Sequence, residues 1–418
     1  MNGRRPVPVP RVAWVAAIIV AIALCVPLVW HQVNARPIHR LVDLEVYRAA
    51  GHSVRVGHGL YEFRTPPPQL LPFTYPPFPA VLAVPLTFLS FYAAGWVWEL
   101  ASLVLFTWLV AFCFRPVVAE WREWCASRFG PRTAALTTAI LAPLLLPAML
   151  WLEPVRATFR FGQVNIIIGA LVVADCCLTW TRWPRGMLIG IAAAIKLTPG
   201  LFIPYLWLTG RRRAAYLATA TFAGCQLLAA AVAPGEAKKY WTDALFHSER
   251  LGDNKVTANV AIRGALLRLK LPSTALSVLL AVLVISVLIV GMSRALLASR
   301  AGAELAGVVL VGLTSVAISP VSWDHHLIWL VPAFAVLLAD PVGTRRLLSA
   351  AGLAVVFYSR LPWWAAGLAK RSSGVAQEFW RIGDISFTIV TVMVILALPL
   401  KSLSQLPRSW PRGGFPEG

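Results

Sequence analysis

Residues 273–293 read STALSVLLAVLVISVLIVGMS, twenty-one positions without a charge. A helix of that length covers about 30 Å, the hydrocarbon thickness of a bilayer. The stretch lacks the polar–apolar alternation of a barrel strand, so only a helix satisfies its backbone in lipid. Arg294 and Arg300 follow it directly.

The same signature recurs on both sides. Similar windows fall at about 12–30, 78–94, 96–114, 133–152, 163–180, 186–209, 214–233, 303–319, 326–340, 347–360 and 384–400. With 273–293 they make twelve. The chain is 58% hydrophobic and 13% charged, where a soluble protein carries about a quarter charged residues. The expected fold is an all-α polytopic membrane protein: about twelve transmembrane helices, with short re-entrant or amphipathic helices in outer loops. No linker or repeat divides it, so 1–418 is one domain. Within it, 31–77 is a first outer loop and 401–418 a cytoplasmic tail. The first window follows Arg4, Arg5 and Arg11. It is longer than a signal-peptide core and lacks a small-residue cleavage site, so it is expected to be a retained helix.

The net charge is +20, from 38 Lys plus Arg against 18 Asp plus Glu. Basic residues flank the windows and so mark a cytoplasmic face near anionic lipid. No recognition motif accompanies them, so nucleic acid is not an expected partner. Arg211, Arg212 and Arg213 are the clearest cytoplasmic marker. Arg294 with Arg300, Arg345 with Arg346, and the tail with Lys401, Arg408 and Arg412 fall on the same side. The loops at about 31–77, 234–272, 320–325 and 361–383 then face outward. One stretch conflicts with this order. Arg115, Arg122, Arg128 and Arg132 argue for the cytoplasm, whereas twelve crossings place 115–132 outside. A re-entrant 78–94, or a broken hairpin at 186–209, would remove the conflict. The six cysteines (Cys25, Cys113, Cys125, Cys176, Cys177, Cys225) mostly lie in apolar windows, without zinc spacing, and read as reduced packing residues.

Polar residues are costly in such a chain, and five groups of them stand out. Asp43 and Glu45 lie a dozen residues beyond the first window, ahead of a stiff proline- and aromatic-rich segment, Thr65-Pro66-Pro67-Pro68-Gln69 and Phe73-Thr74-Tyr75-Pro76-Pro77. An acid there suits a base at the membrane surface, and equally an ordinary solvated loop. Gln163 and Asn165 open an apolar window after Arg156 and Arg160; such amides cap helices or bind sugar hydroxyls. Lys196, in the middle of 186–209 and one turn before Pro199, calls for an anionic partner or a cavity. His325 and His326, in Ser319-Pro320-Val321-Ser322-Trp323-Asp324-His325-His326, are adjacent. They lack the i, i+3 or i+4 spacing of ligands on one helix face, which favours phosphate contact or hydrogen bonding over a metal. The loop 234–272 mixes charge with aromatics and includes Asn259.

Five of these segments, in this order, resemble glycosyltransferase family 87: Asp43-Leu44-Glu45-Val46-Tyr47, Phe73-Thr74-Tyr75-Pro76-Pro77, Phe161-Gly162-Gln163-Val164-Asn165, Ala194-Ile195-Lys196-Leu197-Thr198-Pro199, and the segment from Ser319 to His326. The family comprises membrane glycosyltransferases of the GT-C type that use polyprenyl-phosphate sugars. The likeness is nearest to actinobacterial α-(1→2)-mannosyltransferases. The resemblance implies a GT-C-type bundle in the plasma membrane with its active site on the extracytoplasmic face. It implies a polyprenyl-phosphate mannose donor, and a glycolipid acceptor such as a phosphatidylinositol mannoside, lipomannan or lipoarabinomannan.

It further implies Asp43 as catalytic base, with Glu45 a competing acid. Lys196, His325 and His326 are then expected at the donor phosphate. Tyr47, Tyr75, Arg156, Gln163 and Asn165 are expected to contact substrate, as are Glu45, Asn259, Ser322 and Asp324. Besides membrane lipids, no metal or other cofactor is expected, although a divalent cation is compatible. An arabinofuranosyltransferase on the same scaffold, or a lipid or glycan transporter, are the competing readings.

Overall fold

The computed structural model describes residues 11–34, 41–247, 250, 252–269 and 271–400. The expected tail at 401–418, with Lys401, Arg408 and Arg412, lies outside them, as do Arg4 and Arg5. The regular structure of the described residues is helical, apart from one isolated antiparallel bridge between Asn259 and Trp323.

The chain opens with α1 (Arg11–Asn34), α2 (Val42–Val56) and the short α3 (Phe78–Ala83), which runs into a 3-10 turn at Val84–Phe88. Then come α4 (Phe91–Phe129), α5 (Pro131–Leu150), α6 (Glu153–Phe161), α7 (Asn165–Cys177), α8 (Met187–Ile195), α9 (Phe202–Leu208) and α10 (Arg212–Val232). α11 (Pro234–Thr242) and α12 (Ile262–Arg268) flank an irregular loop, followed by α13 (Ser273–Arg300) and α14 (Glu304–Ile318). A 3-10 turn at Asp324–Trp329 leads into α15 (Leu330–Leu338), then α16 (Thr344–Ser359), α17 (Leu361–Arg371), α18 (Gly374–Asp384) and α19 (Ser386–Ala397).

Among the described residues, five helices are long and apolar enough to cross a membrane: α1, α4, α5, α10 and α13. Counting the bent pairs α6–α7 (117°) and α18–α19 (55°) as single spans gives seven. The twelve windows are therefore not twelve long helices. Many of the others are short: α7, with 13 residues, extends only about 20 Å. Apolar sequence also runs on through buried structure that hydropathy cannot separate from lipid-facing structure. α14 is the clearest case. Every residue from Glu304 to Ala317 is buried, so it forms the centre of the bundle. Gly312 lets it approach α15's neighbour Trp329; a Cβ there would lie 2.2 Å from the indole ring.

Two windows correct together. The expected span 78–94 is an eleven-residue element, Phe78–Phe88, ended before Ser90. The Ser90 hydroxyl accepts from Ala93 N–H at 3.2 Å and caps a new helix. That helix, α4, is continuous for 39 residues, from the end of this window through 96–114 and most of the loop expected at 115–132. The window 186–209 is a hairpin. Gly186 packs on the Ala214 carbonyl, Gly190 on Ala218 and Thr221, and Gln226 Nε2 donates to the Ala194 carbonyl at 3.2 Å. α8 thus runs parallel to α10, and α9 must turn back to reach the start of α10. Gly186 sits at φ +97°, which suits glycine alone in so tight an approach.

These two changes place 115–132 at the same end of the bundle as Arg211. Asp175, at the end of α7, accepts from the Gly186 N–H. Arg211 pairs with Glu304 at the start of α14, and Glu304 accepts from Ser299 at 3.2 Å. Arg294 bonds the Leu398 carbonyl, and Trp121 donates to the Leu338 carbonyl at 2.7 Å. Arg115, Arg122, Arg128, Arg294, Arg300, Arg345 and Arg346 accordingly gather at one end. The polar segments singled out in the sequence gather at the other. The cysteines are free, and all six lie within α1, α4, α7 and α10.

Candidate active site

At the end opposite the arginines, α2, α6, α7, the tip of the α8–α9 hairpin and the turn at 324–329 meet. α2 is amphipathic. It buries Leu44, Val46, Tyr47 and Ala50, carries Asp43 and Glu45 in its first turn where the helix dipole favours them, and ends at Gly57 with φ +75°. Arg48 fixes it to the 3-10 turn after α3 by bonding the carbonyls of Leu86 (3.2 Å) and Leu89 (2.7 Å). The following segment, 57–77, contains no regular helix, as its prolines require.

Asp43 is half-buried and bonded by the Gln163 side chain. Burial holds its carboxyl above the ordinary carboxylate range, and Asp324 adds to this; His325, Gln163 and Lys196 pull it back down. Glu45, two residues on, projects roughly 200° round the helix, away from this group. Gln163 is oriented by tyrosines: the Tyr47 hydroxyl lies 3.0 Å from its Oε1 and 3.0 Å from the Tyr75 hydroxyl, itself 3.4 Å from Oε1. With Oε1 accepting, the amide nitrogen is free to donate to Asp43.

Lys196 is not within a helix. α8 ends at Ile195, and Lys196 is extended (φ −148°, ψ 132°), three residues before the proline that prevents the helix from continuing. Its Nζ lies 3.1 Å from Asn165 Oδ1 and 2.7 Å from His326 Nε2. Asn165 Nδ2 donates to the His325 carbonyl at 3.0 Å, and Thr158 Oγ1 donates to the same oxygen at 3.3 Å. The His325 ring is buried against Phe161 and His326, with Nδ1 3.5 Å from Asp324 Oδ1. Neither of its ring nitrogens has a hydrogen-bond partner among the described residues.

The remaining expected residues divide. Asn259 is fully buried and its side chain serves the backbone. Oδ1 accepts from Ala261 N–H and Ser322 N–H (both 3.2 Å), and Nδ2 donates to the Asn254 carbonyl at 3.0 Å. Ser322 and Asp324 are pinned by the same strip: Val260 N–H donates to the Ser322 carbonyl, and Asp324 N–H to that of Ala258. Asn259 therefore holds the turn that carries the histidines. Arg156 is not against Lys196; it belongs to a group about Glu153, with Arg160 and Arg360. Neither Glu153 nor Arg360 was expected from sequence. The spacing of Glu153, Arg156 and Arg160, at i, i+3 and i+7, is the signal that one helix face unites them; Arg360 has none.

Beside the polar group lies an apolar cavity of about 160 Å³, walled by α3, α4, α7 and α8. Tyr47, Tyr75 and Ile195 are among its lining residues, as is Leu82, which is 49% exposed. Among the described residues no group of three or more His, Cys, Asp or Glu side chains is placed to hold a metal ion.

A half-buried carboxyl, an amine–imidazole pair and an apolar chamber thus meet at one end of a helical membrane bundle, an arrangement that suits group transfer from a lipid-linked anion. The model of glycosyltransferase family 87 matches residues 73–320, and the chain belongs to that family. It is 34% identical over 389 residues (87% of this chain, 88% of the relative) to the polyprenol-phosphate-mannose-dependent α-(1-2)-phosphatidylinositol mannoside mannosyltransferase of Mycobacterium tuberculosis (strain ATCC 25618 / H37Rv). It is 31% identical over 413 residues (95% and 91%) to the protein of the same description from Mycolicibacterium smegmatis (strain ATCC 700084 / mc(2)155). A polyprenol-phosphate-mannose-dependent α-(1-2)-phosphatidylinositol pentamannoside mannosyltransferase of that M. smegmatis strain is 30% identical over 405 residues (94% and 91%). No solved structure matches the chain.

Proposed function

We propose that this chain is an inverting α-(1→2)-mannosyltransferase. It moves mannose from polyprenyl-phosphate mannose to a phosphatidylinositol mannoside at the outer face of the plasma membrane. Donor and acceptor follow the names of the relatives. The basic end of the bundle faces the cytoplasm, as positively charged flanks do, which turns the site end outward.

The observation that carries the reading is the convergence of Asp43 with Lys196 and His326 beside the apolar chamber. Asp43 takes the proton of the acceptor 2-hydroxyl as that oxygen bonds to the anomeric carbon. The carbon–oxygen bond to the phosphate breaks on the opposite face, and the phosphate leaves with the electron pair. A β-linked mannosyl phosphate so becomes an α-mannoside. Charge growing on the phosphate is met by Lys196 and His326, held in place by Asn165 and Trp323. Gln163, set by Tyr47 and Tyr75, orients Asp43. The start of the prenyl chain occupies the chamber between α3, α4 and α7. Because the Lys196–His326 pair meets the leaving charge, the scheme calls for no divalent cation.

Purified protein in detergent, supplied with mannose-labelled polyprenyl phosphate and a phosphatidylinositol mannoside, should form a product cleaved by an α-(1→2)-specific mannosidase. Activity should persist in EDTA. Transfer of arabinose in place of mannose, or movement of lipid without a covalent product, would overturn the assignment.

A further inference from the structure

A second polar group occupies the same end of the molecule, and the scheme above does not use it. Glu153 is fully buried, and three guanidiniums surround it: Arg156 at 3.8 Å, Arg160 at 3.4 Å and Arg360 at 3.2 Å. One carboxylate needs one partner. Asp324 adds its field to Glu153, and two carboxylates against three guanidiniums still leave one positive charge uncompensated. Holding like charges together away from bulk water is costly unless an outside anion joins them.

The group is arranged for such an anion. Each guanidinium is braced on a ring: Arg156 on Trp151 (5.2 Å), Arg160 on Phe161 (4.6 Å) and Arg360 on Trp363 (5.0 Å). Arg160 Nε is buried with no hydrogen-bond partner among the described residues. The arginine side chains remain about a quarter to a third exposed, while Glu153 is sealed beneath them. Planar guanidiniums gathered about one carboxylate suit the oxygens of a phosphodiester.

Its position points to lipid. Arg360 begins α17, and α17 and α18 present Trp364, Val375, Phe379 and Ile382 to the surroundings, all more than half exposed. Exposed apolar and aromatic side chains of this kind suit the interface of a membrane. The group also sits close to the reaction. α6 packs on the 324–329 turn, with Phe161 against His325, and the Arg160 carbonyl accepts from Leu41 N–H at 2.9 Å, two residues before Asp43. Lys196 meets His326, whereas the helix bearing Arg156 and Arg160 meets His325.

We infer that Arg156, Arg160 and Arg360 form a second anion site, which binds the headgroup phosphodiester of the acceptor glycolipid while Lys196 and His326 serve the donor phosphate. The inference rests on the mannosyltransferase reading for its acceptor, but not for its ligand chemistry. The site anchors the acceptor by the one charge it shares with its parent phospholipid and leaves its sugars to reach Asp43.

The test compares two acceptors with one donor: a short-chain phosphatidylinositol mannoside and a phosphate-free octyl α-mannoside. Arg360 has a left-handed backbone, φ +58°, which asparagine tolerates, so Arg360→Asn is the variant that best preserves folding. It should reduce the preference for the phosphate-bearing acceptor by about tenfold, and Arg160→Gln with Arg360→Asn by about a hundredfold. Those figures correspond to one and two charge-assisted hydrogen bonds. The change should appear in KM for the phosphate-bearing acceptor. Equal loss on both acceptors, or a rise in donor KM instead, would overturn the inference. A binding arm separates it from the enzymatic reading. Short-chain phosphatidylinositol should raise the melting temperature of the wild-type protein more than that of Arg360→Asn, even if no transfer is detected. Inorganic phosphate at equal concentration should not reproduce the shift; if it does, the group is a free-anion site and the lipid assignment fails.

Discussion

Lys196 Nζ lies 2.7 Å from His326 Nε2, where a lysine in an apolar setting ordinarily meets a carboxylate. His326 Nδ1 accepts from Trp323 N–H at 3.3 Å. A neutral imidazole with that nitrogen as acceptor carries its proton on Nε2. The short contact then requires a lone pair on Lys196, whose other bond runs to Asn165. An anionic oxygen entering between them would accept from both, and would draw the proton that keeps the lysine charged.

Replacing either member should therefore harm use of the donor more than use of the acceptor. Lys196→Met and His326→Ala are each expected to lower kcat/KM for the donor by about a hundredfold, with the double variant little worse than either single one. Groups that act on one atom are coupled, not additive. Steady-state kinetics with donor and acceptor varied separately would show this. Independent losses that multiply would assign the two residues to different steps.

Asp43→Asn should lower kcat by about a thousandfold, within the range for loss of a general base, while the protein still folds. Burial raises the folded-state pKa of Asp43 above its unfolded value. The folded state then binds the proton more tightly, so stability falls as pH rises through the interval between the two values. Asparagine escapes that loss. The variant should melt at the same temperature as the wild type at neutral pH, or higher. A marked drop in melting temperature would make the carboxylate a structural element.

The acid limb of the pH–rate profile follows from the same shift. The base works only when ionised, so transfer rises with pH through the Asp43 pKa, with a midpoint above the usual carboxylate value of about 3.9. A protonated Lys196, the state that an entering anionic oxygen favours, pulls that pKa down. Lys196→Met should accordingly move the limb to higher pH, as read from residual activity across a buffer series. A limb that stays in place belongs to another group.

Asn259→Ala separates support from contact. Three hydrogen bonds join its side chain to 254, 261 and 322, and losing buried partners costs on the order of 2–4 kcal/mol. A lower melting temperature is expected, with kcat falling as the histidine turn loosens, and with both KM values moving less than kcat. A rise confined to the acceptor KM would return Asn259 to substrate binding.

Much of this site was legible because the costly residues stood out against apolar sequence. Asp43, Gln163, Asn165, Lys196 and His326 do meet. The break at Lys196 was signalled by Pro199. What hydropathy could not tell was direction: 186–209 is equally apolar as one crossing or as a hairpin, and only Gly186 and Gly190 pressed on α10 distinguish them. The false span at 78–94 had local signals, Pro79 and Pro85 inside it and a capping serine at 90, outweighed by unbroken apolar content. Glu153 and Arg360 come from distant segments, and neither carries a pattern that names the other. Asn259 was recognised as polar and costly, but its duty toward the backbone of 322 depends on a strand-like bridge that no periodicity announces.

The chamber beside Tyr47 and Tyr75 is apolar, and one of its lining residues, Leu82, is half exposed. A lipid-linked donor that enters past Leu82, as the proposed reaction requires, would come from within the leaflet, travelling in two dimensions. The quantity that sets occupancy is then the number of donor molecules per unit of membrane area. Diluting the donor with inert detergent or phospholipid should slow the enzyme at constant bulk concentration, whereas adding water should not. A Michaelis constant for this protein is properly a mole fraction.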